Sequence, residues 1–109
     1  MILKEKQLKE LLGELKEGLK SLYGSRLKGL YLYGSYARRE QEEYSDIDVL
    51  IVLDEIPHYA AEIDRTGYLA SDLSLKYGST LSRFFVTEQD WKTKDTSFFL
   101  NVREDAVAA

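Results

Sequence analysis

The sequence predicts an α/β (α+β) protein in which helices flank a small mixed sheet of three or four strands. Apolar residues recur every three or four positions in residues 3–23 and 57–77, which is the spacing of amphipathic helices. Three short apolar runs, in residues 28–33, 47–53 and 81–86, alternate with the helical segments and are typical of buried strands. The predicted order of elements is α-β-α-β-α-β-α.

The composition limits the classes of protein that the chain can represent. Its 109 residues suffice for one domain, residues 1–109, with a small core, which leaves a homodimer or a hetero-oligomer open. A formal net charge of −4 argues against direct binding to nucleic acid. The chain has no cysteine, which excludes disulfides, zinc–thiolate sites and thiol catalysis. The charged N-terminus and the lack of an apolar run near ~18 residues predict a cytoplasmic protein without a signal peptide or membrane segment.

The first helix and the first strand follow from residue pattern. Leucines form one stripe of residues 3–23, lysine and glutamate fill the other faces, and Tyr23-Gly24-Ser25 ends the helix. The stripe favours a helix packed on a sheet, with a coiled-coil seam as the rarer alternative. The strand Lys28–Tyr33 is bulky on both faces, so we expect it in the middle of the sheet and covered on both sides.

The middle of the chain contains a short helix, a strand and a longer helix. Residues 36 to about 41 are predicted as the short helix, and the acidic run Glu40–Glu43 as a solvated turn. The second strand then runs from Asp46 or Ile47 to Leu53. Pro57 suits the first turn of the third helix, and Gly78 suits its end.

The C-terminal part is predicted to contain one strand and one helix. Leu81–Val86 forms the third strand, and Thr87 has the character of a helix cap shortly before Trp91. Ser97–Glu104 is the last predicted helix. A tail of small residues follows it.

A phosphate-binding turn is predicted where the first strand ends. Gly34 lets a phosphate approach the backbone, and Ser35 opens a helix whose N-terminus offers free N–H groups. Arg38, one turn along, can donate to the same phosphates. An ordinary turn with a helix cap is the alternative for Gly34-Ser35. For Arg38 and Arg39 the alternative is ion pairing with the acidic run Glu40–Glu43.

Two aspartates at the start of the second strand predict a metal site. Asp46 and Asp48 stand at i and i+2, so their side chains point to the same face of a strand. Such a pair suits Mg²⁺, which prefers one or two carboxylates together with phosphate oxygens. A solvated strand start explains Asp46. It explains Asp48 badly, because an unpaired carboxylate beside Val49-Leu50-Ile51 is costly to bury.

These motifs together carry a resemblance to a known family. Gly34-Ser35, ten intervening residues and Asp46-x-Asp48 resemble the GS-x10-D-x-D signature of minimal nucleotidyltransferase (MNT) domains in the polymerase-beta superfamily. Ala37-Arg38 also matches, and a weaker similarity extends to Phe98–Glu104. The resemblance implies the polymerase-beta-like nucleotidyltransferase fold and a reaction in which a hydroxyl attacks the α-phosphate of ATP and pyrophosphate leaves.

The resemblance also implies roles for the motif residues and a partner. Asp46 and Asp48 would be catalytic and hold two Mg²⁺ ions, and Gly34, Ser35 and Arg38 would bind the nucleotide. Domains of this size are commonly antitoxins paired with a helical HEPN ribonuclease toxin, which implies transfer of AMP to a toxin tyrosine. The alternatives are a non-catalytic binding antitoxin and, less favoured by the chain's size, a dimeric small-molecule (antibiotic) nucleotidyltransferase. Phe98, Phe99 and the N-terminal helix are candidate contact surfaces.

The sequence departs from the family pattern at two positions. The family places a third carboxylate on the third strand, but Ser82 or Arg83 occupies that position here, and Glu88 and Asp90 come after the strand. Either another residue replaces this acid, or the partner supplies it, or catalysis is weak, in which case nucleotide and metal binding could survive without catalysis. Arg39 stands where many members carry glycine. Tyr36 and Tyr44 flank the site in sequence, and we expect packing roles for them rather than stacking on a nucleobase.

Overall fold

The computed structural model describes residues 2–109. These residues form five α-helices and four strands. In chain order they are α1 (Glu5–Tyr23), β1 (Leu27–Tyr33), α2 (Ser35–Arg38), β2 (Ile47–Leu53), α3 (Tyr59–Tyr77), β3 (Leu81–Thr87), α4 (Glu88–Thr93), α5 (Ser97–Asp105) and β4 (Val107–Ala108). A 3-10 turn, Gly24–Arg26, joins α1 to β1. Within residues 2–109, no helix combines the length and apolar character that crossing a membrane requires.

The four strands form one mixed sheet in the order β3-β2-β1-β4. Strand β1 is antiparallel to β2 and to β4, whereas β2 and β3 are parallel. The antiparallel pair β1–β2 contains the short helix α2 in its connection, and the parallel pair β2–β3 is connected through α3. This arrangement confirms the predicted mixed sheet with flanking helices.

The two faces of the sheet carry two separate apolar clusters. On one face, alternate residues of β2 beginning with Ile47 pack with the buried leucines of α1 and with Leu73 of α3. On the other face, Leu50 and Val52 pack with Phe99 and Val102 of α5. Strand β2 is therefore buried on both sides, as a central strand should be.

Several boundaries differ from the sequence prediction. Helix α2 ends at Arg38 instead of continuing to about Gln41, because Arg39 adopts the left-handed conformation with φ of 59°. Helix α3 begins at Tyr59 with extended His58 as its cap, so Pro57 precedes the helix instead of occupying its first turn. The residues after Thr87 form a helix of their own, α4, which the predicted order omitted.

The tail of small residues also differs from its prediction. Val107–Ala108 forms the edge strand β4 and pairs with Tyr31 and Leu32 of β1. The backbone N–H of Ala109 continues the pairing by donating to the Leu30 carbonyl at 2.9 Å. A two-residue strand is too short for a propensity signal, so its pairing depends on the neighbouring edge of β1.

Candidate active site

Three strand ends place their side chains in one row. Tyr33, the last residue of β1, lies opposite Asp48, the second residue of β2, and Asp48 lies beside Ser82 of β3. Residues opposite each other on neighbouring strands project to the same face of the sheet. The face is the one that α5 covers further along, through Leu50 and Val52. The row Tyr33–Asp48–Ser82 therefore forms the floor of the site.

The Gly-Ser turn and the aspartate pair meet at this row. Gly34 has a φ of 76°, and a Cβ built on it would collide with the Oδ2 atom of Asp48 and lie 3.2 Å from its Cγ. The carboxylate therefore occupies the space that any other residue at position 34 would fill. The Ser35 hydroxyl, next in the chain, has no hydrogen-bond partner within residues 2–109 and remains able to bond a ligand.

The ionised carboxylate of Asp48 has an electrostatic cost that the protein offsets only in part. Its side chain is half-buried, and none of the described residues donates a hydrogen bond to its carboxylate. Burial, and then the negative charge of Asp46, raise the pKa of Asp48, while the positive charge of Arg38 lowers it. Asp46 itself is exposed. Uncompensated carboxylates of this kind are typical of sites that bind a cation.

Arg38 lies near these carboxylates but is already paired. Its Nη1 donates to Asp105 at 2.7 Å, and its Nε donates to Glu40 at 3.1 Å. The contact with Glu40 matches the structural alternative predicted for Arg38. Asp105, at the end of α5, is an acid beside the site that sequence reasoning missed, because 67 residues separate it from Arg38. The Nη2 atom of Arg39 lies 3.9 Å from the carboxylate of Glu5 on α1.

The third carboxylate of the family pattern has no counterpart on β3. Ser82 lies beside Asp48 on the site face. Arg83 serves the opposite face, where its Nη1 donates to the Ile63 carbonyl at 2.9 Å and to Thr66 Oγ1 at 2.7 Å. Glu88 and Asp90 come after the far end of β3, roughly 20 Å along the strand direction. Within residues 2–109, no cluster of three or more His, Cys, Asp and Glu side chains could hold a metal.

The residues present fit a divalent cation that also binds phosphate. Asp46 and Asp48 supply hard oxygen ligands from one strand start, and the repulsion between them is relieved by a bound cation. Mg²⁺ retains waters and takes its remaining ligands from substrate phosphates, so two carboxylates suffice. Gly34 carries no side chain that would keep such a phosphate away from the backbone beside Asp48.

Aromatic side chains form one wall of the site. Tyr33 packs edge-on against Phe98 with ring centroids 6.2 Å apart, and Phe84 lies 4.8 Å from Phe98. Burial, followed by the charge of Asp48, raises the pKa of Tyr33 to about 12, so its hydroxyl stays protonated and can donate a hydrogen bond. Phe98 is 37% exposed, but Phe99 is 6% exposed and belongs to the core, so the prediction of Phe99 as a contact surface was wrong.

The two tyrosines that flank the motif in sequence have different surroundings. Tyr36 is buried in the core on the α1 side, and its hydroxyl accepts a hydrogen bond from the Leu3 N–H at 3.2 Å. This confirms the packing role predicted for it. Tyr44 is 90% exposed, so it does not contribute to core packing.

The fold and the site define a nucleotidyltransferase-type domain, in which a Gly-Ser turn and two aspartates meet at one end of a mixed sheet. Residues 12–104 match a family model described as the nucleotidyltransferase domain. The chain therefore belongs to the nucleotidyltransferase domain family. This confirms the resemblance carried by Gly34-Ser35 and Asp46-x-Asp48.

Individual relatives agree with this family. A proposed protein adenylyltransferase of Methanocaldococcus jannaschii, MJ0604, is 38% identical over 93% of this chain and 92% of its own length. Two solved structures share the fold. One is a chain of a toxin–antitoxin complex with AMP-PNP (TM-score 0.60, 22% identity, 97% of this chain and 72% of that chain). The other is a chain of a mutant MntA-HpeT toxin–antitoxin complex (TM-score 0.58, 19% identity, 99% and 72%).

Proposed function

We propose that this protein is an MNT-type antitoxin and a Mg²⁺-dependent protein adenylyltransferase. Its substrate is ATP, and its acceptor is a tyrosine hydroxyl of a cognate HEPN ribonuclease toxin, which the transfer neutralises. The names of the M. jannaschii relative and of the two toxin–antitoxin structures support this choice within the nucleotidyltransferase family.

The observation that carries the proposal is the contact between Gly34 and the carboxylate of Asp48. The contact places Gly34, which has no side chain, beside the half-buried carboxylate of Asp48, whose ionisation is opposed by the negative charge of Asp46. A triphosphate lying along Gly34 and Ser35 would have its oxygens beside Asp46 and Asp48. A bound metal–nucleotide complex would need both groups, since backbone and hydroxyl donors bind phosphate oxygens and carboxylates bind the cation.

The proposed reaction transfers the AMP group of ATP to the acceptor hydroxyl. The acceptor oxygen forms a bond to the α-phosphorus, the bond from that phosphorus to the β-phosphate oxygen breaks, and pyrophosphate leaves. When bound, Mg²⁺ would neutralise charge on the phosphates and lower the pKa of the acceptor hydroxyl. Asp46 and Asp48 would hold that cation, and the Ser35 hydroxyl would donate a hydrogen bond to a phosphate oxygen. The acceptor's proton goes to a base that β3 does not provide, which we assign to the toxin.

Arg38 has the chemistry to bind phosphate bidentately once it is released from its acidic partners. In the structure its guanidinium bridges Glu40 and Asp105. Phosphate oxygens can replace one or both carboxylates, since they present the same acceptor geometry. Arg38 is therefore assigned to nucleotide binding, with Asp105 as a competing anion.

A second candidate function is a non-catalytic antitoxin that neutralises its toxin by binding. One observation favours it, which is Ser82 beside Asp48 where the family pattern expects a third carboxylate. A serine there cannot ligate Mg²⁺ as a charged group or accept a proton as a carboxylate does. ATP and Mg²⁺ would then act as structural ligands of the same two aspartates.

The deciding experiment combines purified protein, its HEPN partner, Mg²⁺ and ATP labelled on the α-phosphate. We expect label on one toxin tyrosine and loss of the toxin's ribonuclease activity. The variants Asp46→Asn and Asp48→Asn should remove the label. Asp64→Asn, an exposed carboxylate on α3, is the matched control and should transfer label normally.

The outcomes separate the two candidates. Label on the toxin that disappears with Asp48→Asn establishes the transferase. A stable complex that silences the toxin without label establishes the binding antitoxin. Neither label nor complex contradicts both functions.

A further inference from the structure

We propose that Tyr44 is a self-modification site, at which the protein transfers AMP to its own tyrosine hydroxyl within one molecule. The inference rests on the proposed function, because it uses the same ATP site. It assigns a second acceptor to that site, distinct from the toxin.

The eight tyrosines differ sharply in how available their hydroxyls are. Four of them use the hydroxyl in a hydrogen bond to a residue of the protein: Tyr23, Tyr36, Tyr59 and Tyr77. Two line the sheet with half-buried rings, Tyr31 and Tyr33. Tyr44 and Tyr68 remain, at 90% and 82% exposed. Neither hydroxyl has a hydrogen-bond partner among residues 2–109.

Position along the chain distinguishes Tyr44 from Tyr68. Tyr44 precedes Asp46 by two residues, so the two Cα atoms are at most about 7 Å apart. A tyrosine side chain is long enough to cover such a distance from its own backbone. Tyr68 lies on α3, which packs on the face of the sheet opposite to Asp48. Of these two exposed tyrosines, Tyr44 is therefore the one that a short stretch of chain keeps near Asp46. This short connection raises the effective concentration of its hydroxyl at the site.

The segment that carries Tyr44 permits this approach. Residues 40–46 connect α2 to β2 without regular secondary structure. Two hydrogen bonds close the turn around Tyr44, from the Glu42 N–H to Ser45 Oγ at 2.8 Å and from the Ser45 N–H to the Glu42 carbonyl at 3.1 Å. Tyr44 lies at the tip of this turn and is held by neither bond. Turning the tip toward Asp46 requires rotations in a few exposed residues only.

The step is the proposed reaction with a different acceptor. The Tyr44 Oη forms a bond to the α-phosphorus of ATP, the bond from the α-phosphorus to the β-phosphate oxygen breaks, and pyrophosphate leaves. The phenolic proton passes to solvent, which reaches Tyr44 because the side chain is exposed. The product carries AMP at the entrance of the site, where it obstructs a second ATP.

The test incubates the protein alone with Mg²⁺ and ATP and measures the intact mass, followed by peptide mapping. We expect one added AMP, located on Tyr44. Tyr44→Phe should remove it, and Tyr68→Phe, the matched exposed tyrosine, should retain it. Asp48→Asn should also remove it. The labelled fraction at a given time should not change on tenfold dilution, since the reaction is intramolecular.

Contrary results are equally definite. AMP on Tyr33 or Tyr68, or an unlabelled protein that still labels its toxin, overturns the self-modification while the proposed function stands. Transfer from an active Tyr44→Phe copy to an Asp48→Asn copy overturns the intramolecular assignment. If neither the protein nor the toxin is labelled, and ATP does not bind, the proposed function fails as well.

Discussion

Gly34 shows at the scale of one residue why this site tolerates little change. Its φ of 76° lies in the region that glycine favours, and its missing Cβ makes room for the Asp48 carboxylate. Gly24 also has a positive φ, of 55°, but a Cβ built on it would meet nothing within 4 Å. Substitutions at the two glycines therefore distinguish the effect of backbone strain, expected at both positions, from the effect of a collision with Asp48, expected only at Gly34.

Gly34→Ala should lower both stability and binding of Mg²⁺–ATP. The strained backbone costs about 1–3 kcal/mol of unfolding free energy, and the new methyl displaces Asp48. Gly24→Ala should show the strain alone, with unchanged binding. Denaturant titrations and nucleotide-binding calorimetry measure the two quantities. Equal losses of binding in both variants would contradict the role given to the Gly34–Asp48 contact.

Asp48→Asn should abolish transfer without destabilising the protein. In the absence of Mg²⁺ the free energy of unfolding should stay equal or rise, because burial and the charge of Asp46 both oppose ionisation of Asp48. Transfer should drop by more than the ~10–100-fold typical of disturbing an outer partner of a metal ligand. Thermal unfolding measures the expected stability, and the label-transfer assay measures the expected loss of transfer. Destabilisation comparable to a core truncation would argue that Asp48 is structural.

At the scale of elements, α1 and α3 are joined by a buried acid that the sequence did not reveal. Glu62 of α3 is 3% exposed and accepts hydrogen bonds from the Tyr23 hydroxyl at 2.7 Å and from Arg65 Nε at 3.0 Å. Burial opposes its ionisation, but the bonds from Tyr23 and Arg65, with the charges of Arg65 and Arg26, outweigh it. The pKa of Glu62 consequently lies below its ordinary value of 4.5.

Stability should therefore depend on pH through Glu62. Because its pKa is lower in the folded protein than in the unfolded chain, its ionised form stabilises the fold above about pH 4.5, and this contribution is lost as pH decreases further. Glu62→Gln should lower the free energy of unfolding by about 1–3 kcal/mol near neutral pH. It should also weaken the decrease of that free energy as the pH becomes acidic. Unfolding titrations from about pH 6 to about pH 3 measure this. The exposed Asp64→Asn should retain the wild-type profile.

The short helix α2 is tied to α5 by the ion pair between Arg38 and Asp105. If Asp105 competes with phosphate for Arg38, Asp105→Asn should strengthen ATP binding several-fold, and Arg38→Ala should weaken it about tenfold. The double variant should bind as Arg38→Ala does, since both changes act through one guanidinium. Calorimetry measures these affinities.

The neighbouring ion pair on α5 provides the control for this coupling. Arg103 Nη1 lies 3.2 Å from Asp95, which is largely exposed. Asp95→Asn removes a surface pair of the same kind without freeing Arg38, so ATP affinity should be unchanged. A similar gain from Asp95→Asn would assign the effect to net charge rather than to competition at Arg38.

In the whole molecule, the larger apolar cluster and the candidate active site lie on opposite faces of the sheet. The larger cluster lies on the α1–α3 face, whereas Asp48 and Ser82 lie on the other face. Leu15 of α1 is 1% exposed in that larger cluster, and Leu75 of α3 is 80% exposed. Truncating the first therefore tests the core, and truncating the second tests the surface.

Leu15→Ala should cost about 2–5 kcal/mol, a large part of the ~5–15 kcal/mol typical of a small domain. Leu75→Ala should change the free energy of unfolding little. The folded fraction of Leu15→Ala should bind Mg²⁺–ATP with normal affinity, because Leu15 belongs to the cluster on the face of the sheet opposite to Asp48. Urea unfolding and binding at low temperature distinguish these effects. A selective loss of affinity would show that the two faces are coupled.

Elements with a long, regular period were predictable from the sequence alone. The leucine stripe of residues 3–23 and the apolar run after Asp48 predicted α1 and β2, because burial of one helix face or both strand faces leaves a local signature. The caps at Gly78 and Thr87 were also predictable, since a cap is a local hydrogen bond or a local backbone conformation.

The same local chemistry placed the candidate site on the chain. Gly34-Ser35 and Asp46-x-Asp48 each carry their preference in two or three neighbouring residues, so both motifs and their family were recognisable from order and spacing. Their roles as ligands of nucleotide and metal stay predictions. Only the tertiary structure decided the features that depend on partners far away in the sequence. These features are the ion pair of Arg38 with Asp105, the burial of Glu62, the pairing of β4 with β1, and the position of Ser82 instead of Arg83 beside Asp48. A contact across many residues leaves no period in either segment, because each segment meets its partner only after the chain has folded.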